Sequence, residues 1–153
     1  MNQKLTISVV LFLLLVIIDQ YIKYGFVFLK YGFESDCISL VLAYNYGVAF
    51  SMFEFLKEYL KFIQLALIVA IFVYLYFNKE VFLKYYIPIS MLLAGGLSNI
   101  LDRFTYGAVV DYVYWHCGFD FAIFNFADVI IDISIVLILY MQYKQYKEDK
   151  KRV

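Results

Sequence analysis

The chain has 153 residues, of which 65% are hydrophobic, 22% aromatic and only 17% charged, with a single proline; a soluble domain is about half apolar and about a quarter charged, so this is the composition of a membrane protein. A formal net charge of zero argues against nucleic acid as a partner, since phosphate binding normally shows as a basic patch or stripe. One histidine and two cysteines leave too few soft ligands for a closed zinc site, and no metal is expected.

In chain order, the first element is an apolar run with a basic start, "MNQKLTISVVLFLLLVIIDQ". No small-residue cleavage site follows it, so it reads as a retained first span over about residues 5–22 rather than a removable signal peptide. Residues of about 24–59 then form the only sizeable extramembrane loop. Within it "CISLVLAYNYGVAF" is strand-like and breaks at Gly47, and "EFLKEYLKF" suggests a short amphipathic helix leading into the second span. Further spans are expected over about residues 60–77, 85–102 and 122–143, each approaching the roughly 20 residues that cross about 30 Å of hydrocarbon. The fold class is therefore an all-α, four-helix membrane bundle carrying a small β-like and amphipathic extracytoplasmic loop. There is no repeat and no linker, so residues 1–153 form one domain.

The basic residues orient it. Lys4, Lys79, Lys84, Lys144, Lys147, Lys150, Lys151 and Arg152 flank one side, and Lys23, Lys30, Lys57, Lys61 and Arg103 the other. By the positive-inside rule both termini and "NKEVFLK" are cytoplasmic. Tyr and Phe fill the spans and interfacial belts, and Trp115 and His116 belong to the outer belt. Cys37 and Cys117 both fall in outward loops, where oxidation is possible; the sequence leaves open whether they meet.

Topology gathers the polar residues at the outer ends of the spans. Gly95, Asn99, Asp102 and Arg103 lie at i, i+4, i+7 and i+8, and Asn125, Asp128 and Asp132 at i, i+3 and i+7, so each set forms one stripe of its helix. An Asp at the centre of a spanning helix costs about 2.5–3.5 kcal/mol, and each Leu, Ile, Phe or Val returns only about 0.3–0.6. The carboxylates must then face the bundle interior or a wet cavity. If Asp102 and Asp128 approach within hydrogen-bonding distance they do not both ionise readily, and a shared proton is available at neutral pH. Such a pair suits an aspartic peptidase, and equally a structural polar network or a proton path.

Other side chains read more simply. Asp19 and Lys23 make an i, i+4 ion pair at the end of the first span. Asp111, in "VVDY", reads as a loop-folding carboxylate rather than a third catalytic group. Ala94, Gly95, Gly96 and Ser98 permit close helix approach. A serine peptidase lacks its base, because the only histidine lies outside the spans. A proton-coupled carrier would want inverted repeats and midplane charges that are absent here. A purely structural assembly protein leaves the paired stripes unexplained.

The motifs "DQYIK", "NYGVAFS", "GGLSNILDRFTYGAVVDYV" and "FNFAD" occur in the order and topological positions of the lipoprotein signal peptidases, and the chain resembles that bacterial family over nearly its whole length. The resemblance implies an inner-membrane aspartic endopeptidase without cofactor, which cuts diacylglyceryl-modified prolipoproteins just before the lipidated cysteine. It implies Asp102 and Asp128 as the catalytic dyad, with Asp19, Lys23, Asn45, Gly47, Asn99, Arg103, Asn125 and Ala127 shaping the pocket and holding substrate. The expected partners are those substrates and membrane lipid, with the enzyme a monomer and its active site near the outer face. Three positions depart from the pattern: Ser98 stands for a glycine, Val48 for an alanine, and Asp132 adds a carboxylate one turn below Asp128.

Overall fold

The computed structural model describes residues 2–47, 52 and 54–151. Val48, Ala49, Phe50 and Ser51 of the second motif therefore lie outside the described residues. Among the described residues four helices are long and apolar enough to cross a membrane: α1 (Asn2–Phe28), α2 (Lys57–Phe77), α3 (Lys79–Tyr106) and α4 (Phe126–Lys150). Between them run two strands, β1 (Ile38–Asn45) and β2 (Val109–Trp115), which pair antiparallel.

Helix α3 is the axis of the bundle and packs against α1, α2 and α4. Its sequence explains this, because it carries a cluster of small residues, Ala94, Gly95, Gly96 and Ser98, within about one and a half turns. A Cβ at Gly95 would lie 2.6 Å from the Ala127 carbonyl oxygen and 2.7 Å from Ile131, so only glycine lets the start of α4 settle this closely on α3. Leu75, Tyr85, Ile89 and Leu93 form a buried apolar cluster at the opposite end of α3. There the backbone leaves helical geometry at Tyr85 (φ −110°, ψ 22°), one turn before Pro88, whose ring and missing N–H disturb the preceding turn. Asn78 alone separates α2 from α3, so what the sequence suggested as a connection, "NKEVFLK", is mostly the kinked first turns of α3.

The outer end adds two details to the sequence reading. Glu54–Leu56 is a single 3-10 turn running straight into α2, so the helix expected to lead into the second span is continuous with it. The strand-like character expected of the first loop is present, but its partner β2 comes from the loop after α3. Gly107 ends α3 in the left-handed conformation (φ 75°), and the chain turns directly into β2. The register sets Asn45 opposite Val109 and Ala43 opposite Asp111, so Asn45 and Asp111 are diagonal neighbours.

Cys37 and Cys117 form a disulfide across a sequence separation of 80 residues, with the His116 amide donating to the Cys37 carbonyl at 2.9 Å beside it. The bond clamps the end of the sheet remote from Asn45 and Asp111. Chain entropy alone sets a ceiling of about 4.5 kcal/mol for a loop of this length. With the intervening spans still inserted after unfolding, a Cys37→Ser/Cys117→Ser variant is expected to lose about 2 kcal/mol in a denaturation series in detergent. An unchanged midpoint would show that the sheet holds without it.

Candidate active site

A polar knot occupies the outer ends of the helices. Lys23 Nζ, on α1, lies 2.7 Å from Asp19 Oδ2 and 2.7 Å from Asp102 Oδ2, and donates to Asn99 Oδ1 at 2.9 Å. Asp19 also accepts from the Ser98 hydroxyl at 2.6 Å and from the Ala127 amide at 3.0 Å. Asp102 accepts from Gln20 at 2.8 Å and from the Val110 amide at 3.1 Å. Asp19 and Asp102 are fully buried and Lys23 is 1% exposed, which is tolerable only because every charge meets a countercharge and further donors. The knot joins α1, α3, β2 and the first turn of α4. Ser98 satisfies its hydroxyl within it.

In front of the knot lies a cavity of about 450 Å³, lined by Asn45, Asn99, Arg103, Asp111, Asp128 and Asp132 and walled by Phe121–Phe124. The fourth helix begins on its edge. Asn125 caps α4 reciprocally: its Oδ1 accepts from the Asp128 amide at 2.9 Å and its own amide donates to Asp128 Oδ2 at 3.1 Å. The same Asn125 side chain donates to Asp111 Oδ1 at 2.7 Å and to Asn99 Oδ1 at 3.2 Å. Asn99 in turn donates to Asp128 Oδ1 at 2.8 Å, and Asn45 to Asp111 Oδ2 at 3.1 Å. Asp111 and Asp128 are thus both held by Asn125 and open onto one cavity.

Asp102 is not on that cavity. No hydrogen bond joins it to Asp128 among the described residues, and Lys23, Gln20 and Val110 engage its carboxylate, so the expected juxtaposition of Asp102 with Asp128 is replaced by that of Asp111 with Asp128. Asp19, Lys23 and Ala127 also sit behind the cavity, buried, with no face for substrate. Asn45, Asn99 and Arg103 line it, and Asn125 is buried beneath it, bonded to both Asp111 and Asp128. Gly47 is held from two sides: its amide donates to Asn45 Oδ1 at 3.0 Å, and its carbonyl accepts from the Arg103 guanidinium. Arg103 also donates to Gln64 of α2 at 3.0 Å, which ties the end of β1 to α2 and α3.

Burial pushes the Asp111 carboxyl up to about 6, and the negative charge of Asp128 adds to the rise; hydrogen bonds from Asn45 and Asn125 and the charge of Lys23 offset part of it. An acid whose folded pKa exceeds its unfolded 3.8 favours the fold in its neutral form. Its contribution is complete below pH 3.8 and lost as pH rises through 6, at most about 3 kcal/mol. Thermal melts in detergent between pH 4 and 7 are expected to show a downward slope that Asp111→Asn flattens; a slope identical in the variant would remove Asp111 as its source.

Among the described residues no group of His, Cys, Asp and Glu is arranged to hold a metal ion. A second groove, about 480 Å³ between α1, α2 and α3, is walled by residues such as Leu5, Phe12, Phe72 and Leu93 and carries no carboxylate, histidine or cysteine.

Residues 11–144 match the sequence model of the family described as signal peptidase (SPase) II. The lipoprotein signal peptidase of Wolinella succinogenes is 51% identical over 140 residues, covering 92% of this chain and 95% of its own. That of Sulfurimonas denitrificans is 56% identical over 143 residues, covering 93% and 91%. A solved structure described as a bacterial membrane enzyme, determined by the in meso method at 2.3 Å resolution, superposes with a TM-score of 0.81 at 27% identity, covering 94% of this chain and 91% of that one.

Proposed function

Since the chain belongs to the signal peptidase II family, we propose that this multi-pass membrane peptidase removes the signal peptides of lipoproteins, cutting diacylglyceryl-modified prolipoproteins before the lipidated cysteine with Asp111 and Asp128 as its water-activating pair. The observation that carries the mechanism is the joint grip of Asn125 on both carboxylates at the wall of one cavity. A water between them loses a proton to the ionised carboxylate as its oxygen attacks the scissile carbonyl. The protonated partner hydrogen-bonds the carbonyl oxygen, and the leaving amine then takes a proton as the C–N bond breaks. The negative charge of Asp128 raises the Asp111 pKa, so the pair holds one proton more readily than none and titrates as a coupled unit.

The basic flanks support cytoplasmic termini and a site at the outer face. The Cys37–Cys117 disulfide supports the same orientation, since such bonds persist in oxidising compartments. At that depth the cavity meets a substrate whose cysteine is held at the bilayer surface by its own lipid. Asp102, with Asp19 and Lys23, acts as a positioning residue that fixes α3 and the Val110 end of β2.

The test is cleavage of a diacylglyceryl-modified prolipoprotein by purified protein in lipid, with the new N-terminus identified by mass spectrometry. A cut before the modified cysteine is expected, with no comparable cut in the unmodified precursor. A cut elsewhere, or none, sinks the proposal.

A further inference from the structure

We propose that Asp132 is a specificity-determining residue for the cleavage described above, accepting a hydrogen bond from a hydroxyl side chain of the signal peptide just upstream of the scissile bond. This rests on that reading of the cavity. Asp132 lines the same cavity as Asp111 and Asp128, yet none of the contacts that hold those two reaches it. It is not covered by other parts of the chain, and it makes no hydrogen bond or ion pair among the described residues.

Its position is fixed by packing rather than by polar contacts. The preceding residue, Ile131, is pressed against Gly95 of α3, so the turn that carries Asp132 cannot drift. Four residues at ~1.5 Å rise place it about 6 Å further along α4 than Asp128, away from the capped end. With α4 entering the membrane from its outer end, that direction is toward the bilayer interior, where the part of a signal peptide before the cut must lie. Extended chain advances ~3.3 Å per residue, so Asp132 meets a side chain one to two residues upstream of the scissile carbonyl. That is the second or third residue before the lipidated cysteine.

The chemistry narrows the group it recognises. An unpartnered carboxylate in a spanning helix is costly and gains most from a donor brought by the substrate. A lysine or arginine at this depth would itself oppose insertion of the signal peptide, whereas serine or threonine is tolerated there. The acceptor therefore selects a hydroxyl.

The experiment uses the full-length protein in lipid and pairs of diacylglyceryl-modified prolipoproteins that differ only by Ser or Ala at the second, or at the third, residue before the cysteine. At one of the two positions wild type is expected to show kcat/KM about tenfold higher for Ser, from one added hydrogen bond. In Asp132→Leu, which makes the span more apolar and keeps it inserted, that ratio is expected to fall toward one; Asp132→Asn, which retains an acceptor oxygen, keeps part of it. Equal rates on Ser and Ala in wild type, or a ratio unchanged in Asp132→Leu, would overturn the assignment. So would an equal loss on both peptides, which points to a backbone donor. Failure of wild type to cut either peptide would overturn the proposed function itself, and Asp132 would then have no substrate to select.

Discussion

Purified protein with Asp111→Asn or Asp128→Asn is expected to leave a diacylglyceryl-modified prolipoprotein uncut, with turnover reduced at least about 10³-fold. General acid and base catalysis are each worth about 10²–10⁴, and a pair sharing one proton fails as a unit when either member is lost. Asparagine keeps the shape and much of the hydrogen bonding. One oxygen remains to accept from Asn125 at position 111 and from the Asn125 amide at 128, while the second donor, Asn45 or Asn99, then faces an NH2 group; helical content should be kept, with about 1–2 kcal/mol of stability lost. Asp102→Asn is the contrasting arm. It lies behind the cavity, against Lys23, so it should lower stability while the folded fraction still cleaves. Near-normal turnover in Asp111→Asn, combined with complete loss in Asp102→Asn at unchanged stability, would return Asp102 to the dyad and remove Asp111.

The second large effect is structural. Lys23→Met leaves Asp19 and Asp102, both fully buried, without the cation that lies 2.7 Å from each. Removing one partner of a buried charge set costs about 3–5 kcal/mol, because the remaining charge has neither water nor a counterion. Unfolding in detergent, followed by circular dichroism, should show a loss of that order. The double change Lys23→Met with Asp102→Asn should recover part of it by removing one stranded carboxylate. Lys23→Arg should rescue poorly, since a planar guanidinium does not fit a site built around a single ammonium bonded to Asp19, Asp102 and Asn99. A midpoint unmoved in Lys23→Met would show that the knot adds nothing to the fold.

The helical part of the site was legible in the sequence because its spacing is local. The i, i+4 relation of Asp19 and Lys23, the stripe Gly95, Asn99 and Arg103, and the stripe of Asn125, Asp128 and Asp132 all follow from 3.6 residues per turn. What local spacing could not show was which carboxylate the knot would claim. Asp102 has the better helical position, but Lys23, Gln20 and the Val110 amide converge on it from α1 and β2. Asp111 was missed for the converse reason. It lies on a strand whose partner is two spans away in the chain, and strand register depends on long-range pairing rather than on local pattern. One signal was present: "VVDYV" sets a carboxylate among β-branched and aromatic residues, an uncommon place for a surface loop acid. The same non-local origin hid the pairing of Cys37 with Cys117.

The pairing of β1 with β2 also governs when the protein becomes an enzyme. The two strands flank the α2–α3 hairpin, so they can meet only after both spans have entered the membrane and returned the chain to the same side. Asp111 is then in place but still alone, because Asn125 and Asp128 arrive with the first turn of α4, which docks on Gly95. With Asp111 and Asp128 as the proposed pair, a nascent chain holds no complete hydrolytic centre until the last helix seats, and competence to cleave is expected to appear in that one step.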